Sequence, residues 1–132
     1  MIKKLKLFAL MLLAYCGTAL AQKKATTPEW PEMKKFHSFM STTFHPTEEG
    51  NLAPLRAKAD SLVSSSKAWQ ASPIAANYKP LETKAALTKL VAQCEKIKKA
   101  VNDKATDDQL KVLITDAHDI FHTIVGECRN VE

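Results

Sequence analysis

Residues 106–128 read TDDQLKVLITDAHDIFHTIVGEC, and this stretch decides the fold class. Thr106 followed by Gln109 is a capping box, in which each side chain bonds to the other residue's backbone amide at a helix start. The two aspartates after Thr106 place negative charge beside the positive end of the helix. The apolar residues that then recur at helical spacing are Leu110, Leu113, Ala117, Ile120, Phe121, Ile124 and Cys128. The stretch therefore predicts an amphipathic helix that lasts to about Glu127.

The first of three earlier helices is predicted ahead of residue 46. We expect it to begin near Thr27, with Pro28 and Pro31 in a first turn whose amide donors lack helical partners anyway. Pro46 disfavours helical geometry at the residue before it, so this helix is expected to end at Phe44, with a linker over residues 46–51. The predicted buried stripe consists of Phe36, Phe39, Met40 and Thr43.

Helices two and three are predicted from the same periodicity. Helix two should run from about Leu52 until Pro73, and helix three from Pro80 to the turn at Asn102 and Asp103. The stripe residues are Leu55, Ala59, Leu62, Ser66 and Trp69 in helix two and Leu87, Leu90, Cys94, Ile97 and Val101 in helix three. Four amphipathic helices with short connections predict an all-α fold, an antiparallel up-down-up-down four-helix bundle.

The start of the chain has the pattern of a secretory signal peptide. Lysines at positions 3, 4 and 6 accompany an apolar run over 5–15, and Ala19-Leu20-Ala21 forms a small-residue cleavage site. We expect residues 1–21 to be removed, which leaves one bundle domain over 22–132 that is exported to the periplasm. The run is too short for a membrane span. A lipid anchor at Cys16 is the alternative, although Tyr15 stands where such processing favours a small residue.

Composition excludes several classes of function. The chain has 132 residues with only 3 glycines, which fits one small domain, and it has no phosphate-binding glycine motif. Without the three leader lysines, 16 basic and 14 acidic residues remain, so a nucleic-acid partner is not expected. His118 and His122 resemble a zincin pair, but Asp119 replaces the general-base glutamate, and no Glu-x-x-His motif for a di-iron site occurs. We expect no enzyme activity.

Two cysteines remain after cleavage, Cys94 and Cys128. The turn between helices three and four places Cys94 opposite about residue 115, so the two thiols should lie about 20 Å apart along the bundle. Both are therefore predicted to be unpaired.

The histidines indicate a ligand site. His118 and His122 are four residues apart and share one helix face, about 6 Å from each other. Antiparallel alignment of helices one and four brings His37 opposite His118 and Met33 opposite His122. Imidazole and thioether donors suit Cu, Zn or Ni, so these four residues predict a transition-metal site. Asp119 could orient an imidazole from outside the ligand set.

Plainer interpretations of these residues stay open. A histidine at a helix edge is often only half-buried and hydrated, and a methionine is more often part of the core than a ligand. His45 is assigned to a loop at the other end of the bundle, with an acidic second site beside Glu48 and Glu49 as its alternative. A structural or interaction bundle without a ligand is therefore a further alternative.

Met33 in the first turns of helix one and the Phe121-His122 pair near the end of helix four resemble the four-helix cytochrome superfamily, namely the soluble periplasmic b-type cytochrome and cytochromes c prime. The resemblance covers residues 22–132 and implies haem b with Met33 and His122 as axial ligands. The cleft would be lined by Phe36, Phe39, Phe44 and Phe121. No Cys-x-x-Cys-His motif occurs, so covalent haem attachment is excluded. A bare metal ion accounts better for the additional histidines, so haem is the second prediction.

Overall fold

The computed structural model describes residues 29–130. This part of the chain forms four helices, α1 (Pro31–Glu48), α2 (Ala53–Ala71), α3 (Pro80–Asn102) and α4 (Asp107–Gly126). Consecutive helices pack along each other, and α1 also contacts α4, though less extensively. The prediction of an all-α four-helix bundle is confirmed. The predicted signal peptide and the alternative anchor at Cys16 lie outside the described residues. The expected helix start near Thr27 is wrong, because Glu29 and Trp30 are not helical and α1 begins at Pro31.

None of the four helices combines the length and the apolar composition that crossing a bilayer requires. The residues from 29 to 130 also contain no β-strand, only an isolated bridge between Tyr78 and Arg129.

The end of α1 differs from the prediction, because the helix continues through Pro46 to Glu48. Its final turn is held by Thr47, which is buried and whose hydroxyl donates to the Thr43 carbonyl at 2.8 Å. The helix ends instead in a Schellman motif, in which the amide of Asn51 bonds to the Pro46 carbonyl and that of Gly50 to the Thr47 carbonyl. Gly50 has φ +83°, the left-handed conformation that this motif requires. The predicted linker over residues 46–51 is therefore too long.

The turn between α3 and α4 follows the sequence signals. The Thr106 hydroxyl accepts from the Gln109 amide at 3.2 Å, and the Gln109 side chain accepts from the Thr106 amide at 3.1 Å, so the capping box is confirmed. The end of α3 is a second Schellman motif, with Lys104 at φ 56° in the position that glycine usually takes.

The buried face of α4 is rotated slightly from the predicted stripe. Ile114 is fully buried, whereas Leu113 and Ile120 are only partly buried. The buried residues of this helix and its end are Leu110, Ile114, Ala117, Phe121, Ile124 and Cys128. Because His118 lies one turn after Ile114, this rotation brings it to the edge of the core.

Aromatic rings close the end of the bundle where α1 begins. Trp30 is buried and donates through Nε1 to the Ser72 hydroxyl at 2.8 Å. Its ring meets Trp69 and Tyr78 edge-on, with centroids 5.6 and 5.1 Å away. Tyr78 is itself buried and covers this end of the core. Cys94, in the middle of α3, and Cys128, beyond α4, are both buried and unpaired, as predicted.

Candidate functional site

Aromatic and imidazole rings fill the seam between α1 and α4. His37 of α1 lies parallel to the Phe121 ring of α4, with centroids 5.1 Å apart and planes 7° from parallel. Phe44 of α1 lies in the same way on His118 of α4, at 3.8 Å and 9°. Phe36 meets Phe121 at 5.9 Å. These wide side chains separate the two backbones, which explains why α1 and α4 contact each other less than consecutive helices do.

His118 and His122 point their ring nitrogens at each other. Their Nε2 atoms lie 3.1 Å apart, and the two rings are inclined by 74°. Metal–nitrogen bonds of about 2.0–2.1 Å place two adjacent ligand nitrogens about 2.9–3.4 Å apart. The pair forms an N–H···N hydrogen bond, and its length also matches the spacing of two neighbouring ligands of one transition-metal ion.

The environment of His118 favours its neutral form. Its side chain is 23% exposed, and removal from water is the largest cause that lowers the pKa of its imidazole below the usual value. The neighbouring His122 lowers it further, while the carboxylates of Asp119 and Glu48 act in the opposite direction. A metal ion binds the neutral imidazole, so the ring is held in the state that a ligand needs.

His45 and Glu48 lie beside this pair. His45 belongs to the last turns of α1 and acts electrostatically on His118, so its assignment to a loop at the far end of the bundle is wrong. The error has two sources, the continuation of α1 through Pro46 and the pairing of Phe44, not His37, with His118. His45 Nδ1 lies 3.1 Å from the Glu48 carboxylate.

The other two predicted ligands lie apart from the pair. The Met33 sulfur accepts from the Tyr78 hydroxyl at 3.5 Å, and His37 stacks on Phe121 with its side chain exposed. With the side chains as they stand, no three His, Cys, Asp or Glu residues between 29 and 130 converge on a point where an ion could sit. The structure thus brings His118 and His122 together and leaves the remaining coordination positions open.

Cys94 is a poor candidate for this role. Burial raises the pKa of Cys94 to about 12, and the Ser66 hydroxyl only partly offsets that rise. Metal ions bind the thiolate, which is scarcely populated at such a pKa.

Comparison of the chain with protein-family models, with curated proteins and with solved structures gave no match. Function must therefore be inferred from the side-chain arrangement itself.

Sequence reasoning placed Phe44 in the haem cleft and His45 and Glu48 in a loop or a separate acidic site, and it missed that all three lie near His118. The signal for them is Gly50, because a glycine that follows polar helix-end residues marks a left-handed cap beyond Pro46. With α1 extended to that cap, its last turns become available to face the middle of α4.

Proposed function

We propose that this protein is an exported four-helix bundle that binds a transition-metal ion, Cu, Zn or Ni, through His118 and His122 of α4. The observation that carries the proposal is the 3.1 Å separation of the two Nε2 atoms. Sequestering or carrying the ion is the role that suits such a site. Export is supported by the pattern of residues 1–21.

The donor set favours late first-row metals. Neutral imidazole is a preferred ligand of Cu, Zn and Ni, and among divalent ions Cu(II) binds a given nitrogen site most tightly. His122 is exposed, so water can complete the coordination of an ion held by the pair. His118 is fixed by stacking on Phe44, which reduces the rotamer freedom that binding would otherwise remove.

Isothermal titration with Cu(II), Zn(II) and Ni(II) tests this proposal on the purified chain. We expect stoichiometric binding that weakens at least tenfold in His118→Ala and in His122→Ala, because each leaves a single imidazole. His37→Ala and Met33→Leu are the controls, because they remove the two ligands predicted from the sequence that the proposed site does not use. Unchanged binding in the double variant His118→Ala/His122→Ala would overturn the proposal.

Haem b remains the alternative cofactor. Phe36, Trp69 and Phe121 pack with ring centroids 5.5–5.9 Å apart, so a haem between α1 and α4 would have to displace these rings. A Soret band that forms on haem addition and is lost in Met33→Leu and His122→Ala would establish the haem protein instead.

Export has a separate test. Mass spectrometry of the protein from an expressing bacterium's envelope should find the mature chain starting at Gln22. A lipid-modified Cys16 as the first residue would support the anchored alternative, and an intact Met1 would contradict cleavage before Gln22.

A further inference from the structure

The last turns of α1 carry an imidazole on the same seam as the His118–His122 pair. The Phe44 ring lies 5.6 Å from the His45 ring and 3.8 Å from the His118 ring between centroids, so the two imidazoles lie at most 9.4 Å apart. Two imidazoles on one ion have centroids about 4.5–5.2 Å apart. At the 9.4 Å limit, the centroid of the His45 ring would have to come about 4–5 Å closer to that of His118 for both rings to bind one ion.

The His45 side chain is free to make this approach. It is 65% exposed, and its polar contact is to Glu48, a residue of the same helix turn whose side chain is also more than half exposed. A change of rotamer moves an exposed imidazole by several ångströms without disturbing the core, and the exposed Glu48 side chain can turn with it to keep the contact to Nδ1.

Glu48 prepares His45 for coordination. Its carboxylate lies 3.1 Å from Nδ1, which favours a proton on that nitrogen and leaves the lone pair of Nε2 free. Metal-bound histidines are commonly oriented by a carboxylate on the second ring nitrogen in this way. The structure therefore contains an orienting carboxylate next to an imidazole that has no other assigned task.

We infer that His45 is the third ligand of the ion held by His118 and His122, and that Glu48 positions it. This inference rests on the proposed function. Loading then links the C-terminal turns of α1 to the middle of α4, the pair of neighbouring helices with the least backbone contact. An ion with three imidazoles and one water position results, which suits Cu(II), Zn(II) or Ni(II).

The test measures Cu(II) affinity and the number of bound imidazoles by electron paramagnetic resonance in the full mature chain. We expect three imidazoles in the wild type and two in His45→Ala, with an affinity about a hundredfold lower. Glu48→Gln should lower the affinity about tenfold, the lower end of what loss of an orienting carboxylate causes. Glu49→Gln removes the same charge from a neighbouring exposed residue and should change the Cu(II) affinity less than threefold.

Circular dichroism of each variant shows whether it is folded, which is expected because all three substituted side chains are exposed. Wild-type affinity in His45→Ala, together with loss of binding in His118→Ala/His122→Ala, would overturn the third ligand and leave the proposed function standing. A loss in His37→Ala equal to that expected for His45→Ala would also overturn it, in favour of the ligand set predicted from sequence. Absence of binding in the wild type would overturn both.

Discussion

The buried thiol of Cys94 makes this protein less stable at alkaline pH. Its pKa is about 12 in the folded chain and 9.0 for an ordinary thiol, so the folded state favours the protonated form. The resulting contribution is fully present below pH 9 and is lost as the pH rises toward 12, because the unfolded chain ionises first. At pH 10 the free energy of unfolding is lower by about 1.4 kcal/mol, and this value hardly changes if the folded-state pKa is anywhere above 11.

Urea unfolding under reducing conditions at pH 7 and pH 10 measures this loss, with Cys94→Ala as the reference. All other ionisable groups are common to both proteins, so their contributions cancel when the two pH-induced changes are compared. We expect the wild type to lose about 1.4 kcal/mol more than the variant. Equal losses would show that the thiol ionises as easily in the folded chain as in the unfolded one, which would refute its burial and restore it as a candidate metal ligand.

Three further results are expected. Lys104→Gly should stabilise the protein by about 1 kcal/mol in urea unfolding, because Lys104 holds a left-handed conformation that glycine adopts freely. Ile114→Ala should lower the free energy of unfolding by about 2–5 kcal/mol, and Leu113→Ala by clearly less, because Ile114 is fully buried. If thermal unfolding showed Leu113→Ala to be the more destabilising change, it would support the stripe predicted from the sequence. Because the pKa of His118 is lowered in the folded chain, the neutral ring contributes stability above pH 6.5, and this contribution is lost as the pH falls through the folded pKa. Acid should therefore destabilise the wild type more than His118→Gln, which denaturation midpoints at pH 7 and pH 5 would measure.

The sequence predicts the helices of this protein well because their ends carry local chemical signals. Thr106 and Gln109 bond to each other's amides at the predicted start of α4, and α3 begins at Pro80 as expected. Pro46 was misleading because a proline removes only one amide donor, whereas the burial of Thr47 and the cap at Gly50 together hold the extra turn. Local patterning does not contain the tertiary contacts that decided this helix end.

The candidate site is less predictable because it depends on register between distant helices. The spacing of His118 and His122 fixes their proximity, and the structure agrees with it. The residue of α1 that lies opposite them depends on the register of α1 against α4. The observed register differs from the predicted one by about two turns, so Phe44 and not His37 contacts His118. The sizes of the side chains in the seam set that displacement, which no pattern within one helix reveals.

Stacking explains how ligand imidazoles coexist with a packed core at this seam. A phenyl ring covers one face of His37 and of His118, while His37 and His122 are exposed and His118 remains partly so. Apolar area is thus buried without leaving a ring nitrogen in the core without a partner, a loss that would cost about 1–3 kcal/mol for each nitrogen. A metal ion would replace the contact between the Nε2 atoms of His118 and His122 at the edge of the seam, so binding requires no opening of the bundle.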